Sequence, residues 1–92
     1  MKTYAIRRKT AWKEPDELGA VAELSKKIAA SDFPDEINWI RSYVIDEPDG
    51  RLGTICIYEA SGPEAIRGHA EQVGMPADEI LDVAEVVVVT PD

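Results

Sequence analysis

Two residues able to hold a borderline metal, or to serve as nucleophile and base, occur once each in this chain, both within "CIYEASGPEAIRGHAEQVGMPADEI". A thiolate at Cys56 and an imidazole at His69 are donor types suited to a borderline transition metal. Their separation matches no known ligand spacing. A single cysteine is more often a small apolar filler, and a single histidine on a helix flank is more often solvated or hydrogen-bonded. The carboxylates of "PDEINW" and "PADEILD" suit helix starts, where they complement the dipole. "IRRK" places Arg7, Arg8 and Lys9 on one segment, and Arg7 with Arg41 could meet an anion or partner carboxylates. The sequence has no glycine-rich phosphate loop, no nucleophile elbow and no histidine pair at metal spacing. Nothing in the motifs announces an enzyme.

The elements that must position these residues follow from hydrophobic period, which switches between about 2 and about 3.6 along the chain. "TYAIR" reads as a strand. Pro15, with Asp16 and Glu17 after it, opens a first helix, and Leu18, Val21, Ala22, Ser25, Ile28 and Ala29 form its apolar stripe. "INWIRSYVID", the turn signal "EPDG" and "LGTICIYEA" predict a β-hairpin. Ser61 and Glu64 suit a capping box for a second helix with Pro63 in its first turn and Gly74 as its stop, and His69 is expected to flank Ile66 and Ala70. "MPADEI" reads as one helical turn, and "AEVVVV" as a buried last strand closed by Thr90 and Pro91. The order βαββαβ predicts a single α+β domain over residues 1–92, a ferredoxin-like sandwich with a four-stranded antiparallel sheet and two helices on one face.

Alternation sorts the hairpin into two faces. Ile40, Val44, Ile55 and Ile57 are expected toward the helices. Trp39, Arg41, Tyr43, Ile45, Thr54, Cys56 and Tyr58 then fall on the open face, a surface aromatic enough to form a homodimer face or to line a ligand pocket. On this sorting Cys56 and His69 lie on opposite sides of the sheet and do not share a metal within one subunit, unless a bulge near Gly53 or another subunit intervenes.

Composition narrows the partners. A formal net charge of −8 repels phosphate backbones and anionic membrane surfaces, which disfavours nucleic acid and membrane partners. With one cysteine, no intrachain disulfide, no span near the roughly 20 apolar residues of a membrane helix and no signal-peptide pattern, the chain reads as reduced and cytoplasmic.

At "WIRSYV", at the long run from Cys56 to Ile80 and at the valine segment, the chain resembles a family of small nickel-binding or nickel-responsive proteins, the domain-of-unknown-function family numbered forty-two forty-two. The resemblance covers about two thirds of the chain and implies a ferredoxin-like homodimer that binds or senses Ni²⁺, with Cys56 and His69 as the metal-ligand candidates. Two positions depart from the family pattern: Arg41 stands in the place of a histidine and Arg7 in the place of a glutamate. A guanidinium is a poor ligand, so both substitutions subtract from a metal site. The reading is a small non-enzymatic binding protein. The alternatives are a cofactor-free enzyme of the dimeric ferredoxin-like monooxygenase or isomerase class, with its pocket near Trp39, Tyr43, Cys56 and Tyr58, or a member that has lost its metal.

Overall fold

The structure, a computed structural model, describes residues 1–90 and only the backbone of Thr10. The elements run β1 (Lys2–Trp12), α1 (Pro15–Asp32), β2 (Ile37–Asp46), β3 (Leu52–Ala60), α2 (Pro63–Val73) and β4 (Glu79–Asp82). The strands form one antiparallel sheet in the order β2-β3-β1-β4. Both helices cover one face, as the ferredoxin-like plan requires.

Pro15 occupies the first turn of α1, followed by Asp16 and Glu17. The hairpin turn closes where Gly50 takes a φ of 87° and donates its N–H to the Glu47 carbonyl at 3.0 Å. Gly74 ends α2 at a φ of 81°, its N–H reaching the Ala70 carbonyl at 2.9 Å. At both positions a side chain would be strained in the left-handed region.

Three expectations change. Ser61 does not cap α2: the N-cap residue is Gly62, which has no side chain to offer, and the Ser61 N–H that a capping box would pair with Glu64 is committed to the Glu36 carbonyl at 2.9 Å. "MPADEI" is not a helical turn. Its last two residues open β4, with Asp78 accepting the Lys9 backbone N–H at 2.6 Å and Ile80 set opposite Ile6. The valine run is consequently not a buried strand: from Val83 to Thr90 the backbone is outside any strand, and Val86 to Val89 are between 67% and 89% exposed. Pro91 lies outside the described residues.

The face assignment also changes, with consequences for function. Ile40 is an extra residue in β2: Trp39 pairs with Tyr58, while Arg41 pairs with Ile57. In a regular strand positions 39 and 41 share a face, and the bulge at Ile40 separates them. Trp39, Ser42 and Val44 therefore pair with Tyr58, Cys56 and Thr54 on the helix side, whereas Arg41 and Tyr43 pair with Ile57 and Ile55 on the outer side. On β1 the inner set is Tyr4, Ile6 and Arg8, opposite Tyr58, Cys56 and Thr54. Tyr58, Cys56 and Thr54 are thus core residues, not open-face ones, and Ile55 and Ile57 are half-buried outside.

The outer position of Arg7 has a structural use. Its guanidinium grips Glu47 at 2.8 and 3.1 Å and reaches the Arg8 and Thr54 carbonyls at 3.0 and 3.3 Å. Gly53 leaves room for this cluster: a Cβ there would sit 2.6 Å from the Arg8 carbonyl oxygen and 2.8 Å from both Arg7 Nη1 and Glu47 Oε2. Gly53→Ala is expected to destabilise by about 1–3 kcal/mol. Gly19→Ala, on α1 with no neighbour within 4 Å, is expected to stabilise by about 0.5–1 kcal/mol. Urea midpoints of the two variants against the parent check both signs.

Candidate functional site

The stripe expected on α1 does face the sheet, yet of its residues only Ser25 is buried. Leu18, Val21 and Ala22 stand back from the strands, and between them and the sheet lies a chamber of about 120 Å³. Its floor is the inner face of β1, β2 and β3, with Arg8, Trp39, Cys56 and Tyr58, and Trp12 and Met75 add to its wall. Sequence reasoning places Trp39, Cys56 and Tyr58 together, and the structure does bring them together, on the side opposite to the one expected.

Arg8 is the residue that sequence reasoning missed. It is 0% exposed, and its Nε, Nη1 and Nη2 make no hydrogen bond among the described residues. The guanidinium carbon stands 5.9 Å from the centre of the Tyr58 ring, a cation–π contact. Such a contact offsets only part of the cost of removing an ion from water, which is on the order of several kcal/mol. The signal was available in "TYAIRR", where Tyr4, Ile6 and Arg8 alternate with Ala5 and Arg7, so the strand that buries the tyrosine and isoleucine must also turn Arg8 inward.

The neighbours of Arg8 adjust to it. Tyr58 is 1% exposed and stacks on Trp39 at 6.1 Å between centroids. Burial raises its phenol pKa, the Arg8 charge opposes that rise, and the Cys56 thiol adds to it. Ser25 and Arg8 approach the phenol closely enough to favour its ionised form, although no guanidinium nitrogen bonds it with hydrogen-bond geometry. The Cys56 thiol donates to Thr54 Oγ1 at 3.4 Å.

His69 lies deeper, behind Tyr58. It does not flank the core but is part of it, 0% exposed, with its ring edge-on to Phe33 at 5.9 Å. Nε2 is 3.0 Å from the Ser25 carbonyl, which only accepts, so this nitrogen carries the proton and donates. Nδ1 is then a lone pair without a partner among the described residues. Burial lowers the His69 pKa; the bond to Ser25 opposes this, and the Arg8 charge adds to it.

Cys56 and His69 therefore occupy the same side of the sheet, but as a metal centre they do not fit. Among the described residues no three of His, Cys, Asp and Glu come together. A divalent cation beside Cys56 would also face the buried guanidinium of Arg8, a repulsion that one thiolate does not cancel. Arg41 and Tyr43, the other site candidates, lie on the outer face, where Arg41 Nη1 donates to the Tyr43 hydroxyl at 3.4 Å. There they line a separate groove of about 650 Å³ between the sheet and residues 83–90.

Comparison with known proteins places this geometry in a context. The sequence model of the family described as nickel responsive protein SCO4226-like matches residues 4–83. No curated protein matches the chain. Among solved structures, the crystal structure of SCO4226 from Streptomyces coelicolor A3(2) is similar, with a TM-score of 0.70 at 19% identity, covering 92% of this chain and 99% of that one. At that identity the likeness establishes the fold, two helices on a curled antiparallel sheet.

The burial of neutral His69 predicts a pH dependence of stability. A folded-state pKa below the unfolded value of about 6.5 means that the unfolded chain binds the proton more readily. The stability this site contributes is complete above about pH 6.5 and is lost as pH falls through the window below it, at up to about 1.4 kcal/mol per pH unit. Urea melts of parent and His69→Gln between about pH 5 and pH 8 should diverge in slope on the acid side. Parallel profiles would contradict the burial of a neutral imidazole.

Proposed function

Because the chain belongs to the nickel responsive protein SCO4226-like family, we propose that it is a small non-enzymatic binding protein that acts as a homodimer, and that Cys56 and His69 hold no Ni²⁺ within one protomer. The observation that carries the dimer is the outer groove. Ile40, Tyr43 and Ile57 on the sheet and Val86 to Val89 opposite them line one continuous depression, and the four valines are mostly exposed. A patch of this kind calls for a cover. A second copy supplies one by symmetry: each extended valine segment lies over the partner's bare sheet face, the same surface being used twice.

Charge shapes how the copies meet. Each carries a formal −8, so association works against long-range repulsion that salt screens, and the apolar face supplies the attraction. The two family-pattern positions occupied by arginine are engaged elsewhere, Arg7 with Glu47 and Arg41 with Tyr43. The enzyme alternative has no support from His69, whose proton-bearing nitrogen is bound to Ser25 and which stands outside the chamber lining.

Sedimentation at micromolar concentration should show a dimer that strengthens with added salt, and Tyr43→Glu should shift it toward monomer. Titration with Ni²⁺ should leave the melting temperature where it was. A saturable rise that disappears in both Cys56→Ser and His69→Ala would restore the interior pair as ligands.

A further inference from the structure

The dimer and the metal question concern the outer face and the family name; the chamber under α1 concerns neither. We propose that the chamber binds a small monocarboxylate with an apolar body, its carboxylate paired with the Arg8 guanidinium.

Four observations converge on that ligand class. The first is the sign of the charge. A guanidinium does not discharge inside a protein, and Arg8 is a fully buried residue of the chamber lining whose nitrogens have no partner among the described residues and lie just behind the chamber's apolar surface, so that a ligand pairs with them once the guanidinium turns outward. Water could satisfy those donors but would leave the charge; an anion does both. The second is geometry. The planar fork of a guanidinium matches the two oxygens of a carboxylate in parallel bonds. One arginine in an apolar enclosure leaves a phosphate dianion with excess charge, so a single negative charge fits best.

The third is the wall. The lining includes Trp12, Leu18, Val21, Ala22, Trp39 and Val44, and its surface is almost wholly apolar, suited to hydrocarbon. Size is the fourth. An apolar cavity of roughly 150 Å³ accommodates benzene; at about 120 Å³ the chamber encloses an acid the size of butyrate, and takes the ring of benzoate only where it reaches into the open rim. Val44 lines the chamber and is 53% exposed, so its rim reaches solvent and a ligand can enter beneath α1.

The test uses the intact chain. Its two tryptophans, Trp12 and Trp39, both line the chamber, so emission reports occupancy directly. Parent protein is titrated with butyrate, benzoate, butyramide, chloride and inorganic phosphate, following Trp emission and melting temperature. The expected result is a saturable change and a raised melting temperature with the two carboxylates, no response to butyramide, and an affinity at least tenfold weaker for chloride and phosphate. Arg8→Met should weaken carboxylate binding roughly tenfold to hundredfold while melting at or above the temperature of the ligand-free parent, since it removes an unpaired buried charge.

Should Arg8→Met fail to fold, Ala22→Phe fills the chamber and keeps the arginine, and loss of benzoate binding in that variant serves the same purpose. Equal responses to acid and amide would overturn the charge pairing. Equal responses to carboxylates and chloride would reduce the site to an adventitious ion only. No response to any anion by the folded parent, by either readout, would overturn the proposal outright.

Discussion

The interior of this protein is organised around a positive charge that it cannot neutralise with its own side chains. Arg8 is carried inward by the alternation of β1, two residues beyond Ile6, and no carboxylate among the described residues meets it. The groups around it are those that tolerate or soften a cation: the face of Tyr58, a thiol, the hydroxyl of Thr54 across the register, and farther off an imidazole kept neutral. The chamber under α1 follows from the same constraint. A helix packed tightly on this floor would leave no space beside the buried guanidinium for a compensating charge. Small side chains at Ala22 and Ser25 instead leave part of the space between α1 and the sheet unfilled, room for a counter-ion.

A second constraint, the extra residue at Ile40, decides which groups share that interior. With the bulge, Trp39 stacks on Tyr58 inside while Arg41 and Tyr43 remain outside, so one strand serves two surfaces of different character. The inner surface is a small apolar chamber over a buried positive charge; the outer is broad, apolar and bordered by the exposed valine segment. The two proposed uses, ligand inside and second copy outside, therefore do not compete for residues. Arg7 links the surfaces mechanically: its pairing with Glu47 and its bonds to the Arg8 and Thr54 carbonyls brace the end of β1 and β3 from which Arg8 projects.

The order of elements was legible in the sequence because period, proline and glycine act locally: Pro15 and Pro63 at helix starts, Gly50 and Gly74 at left-handed turns. The faces were not. Both sides of β3 carry apolar residues, Ile55 and Ile57 on one and Cys56 and Tyr58 on the other, so alternation alone cannot say which side the helices cover. Only the long-range register with β1 decides, and no local rule announces the bulge at Ile40. Candidate site residues were found by type, which explains why Trp39, Cys56 and Tyr58 were named and Arg8 was read as one of three surface cations. The last strand was misread because the most β-prone run, Val86 to Val89, lies beyond the residues that pair with β1, and the less apolar Glu79–Asp82 takes the edge.

The central claim is that an anion completes the charge on Arg8, and a crystal structure of the protein soaked in butyrate tests it most directly. The account predicts planar density with two oxygens about 2.7–2.9 Å from the Arg8 guanidinium nitrogens and a hydrocarbon tail running toward Trp12 and Val21. A guanidinium bonded instead to one of the protein's own carboxylates, or a chamber collapsed so that α1 rests on Tyr58 and Cys56, would contradict it.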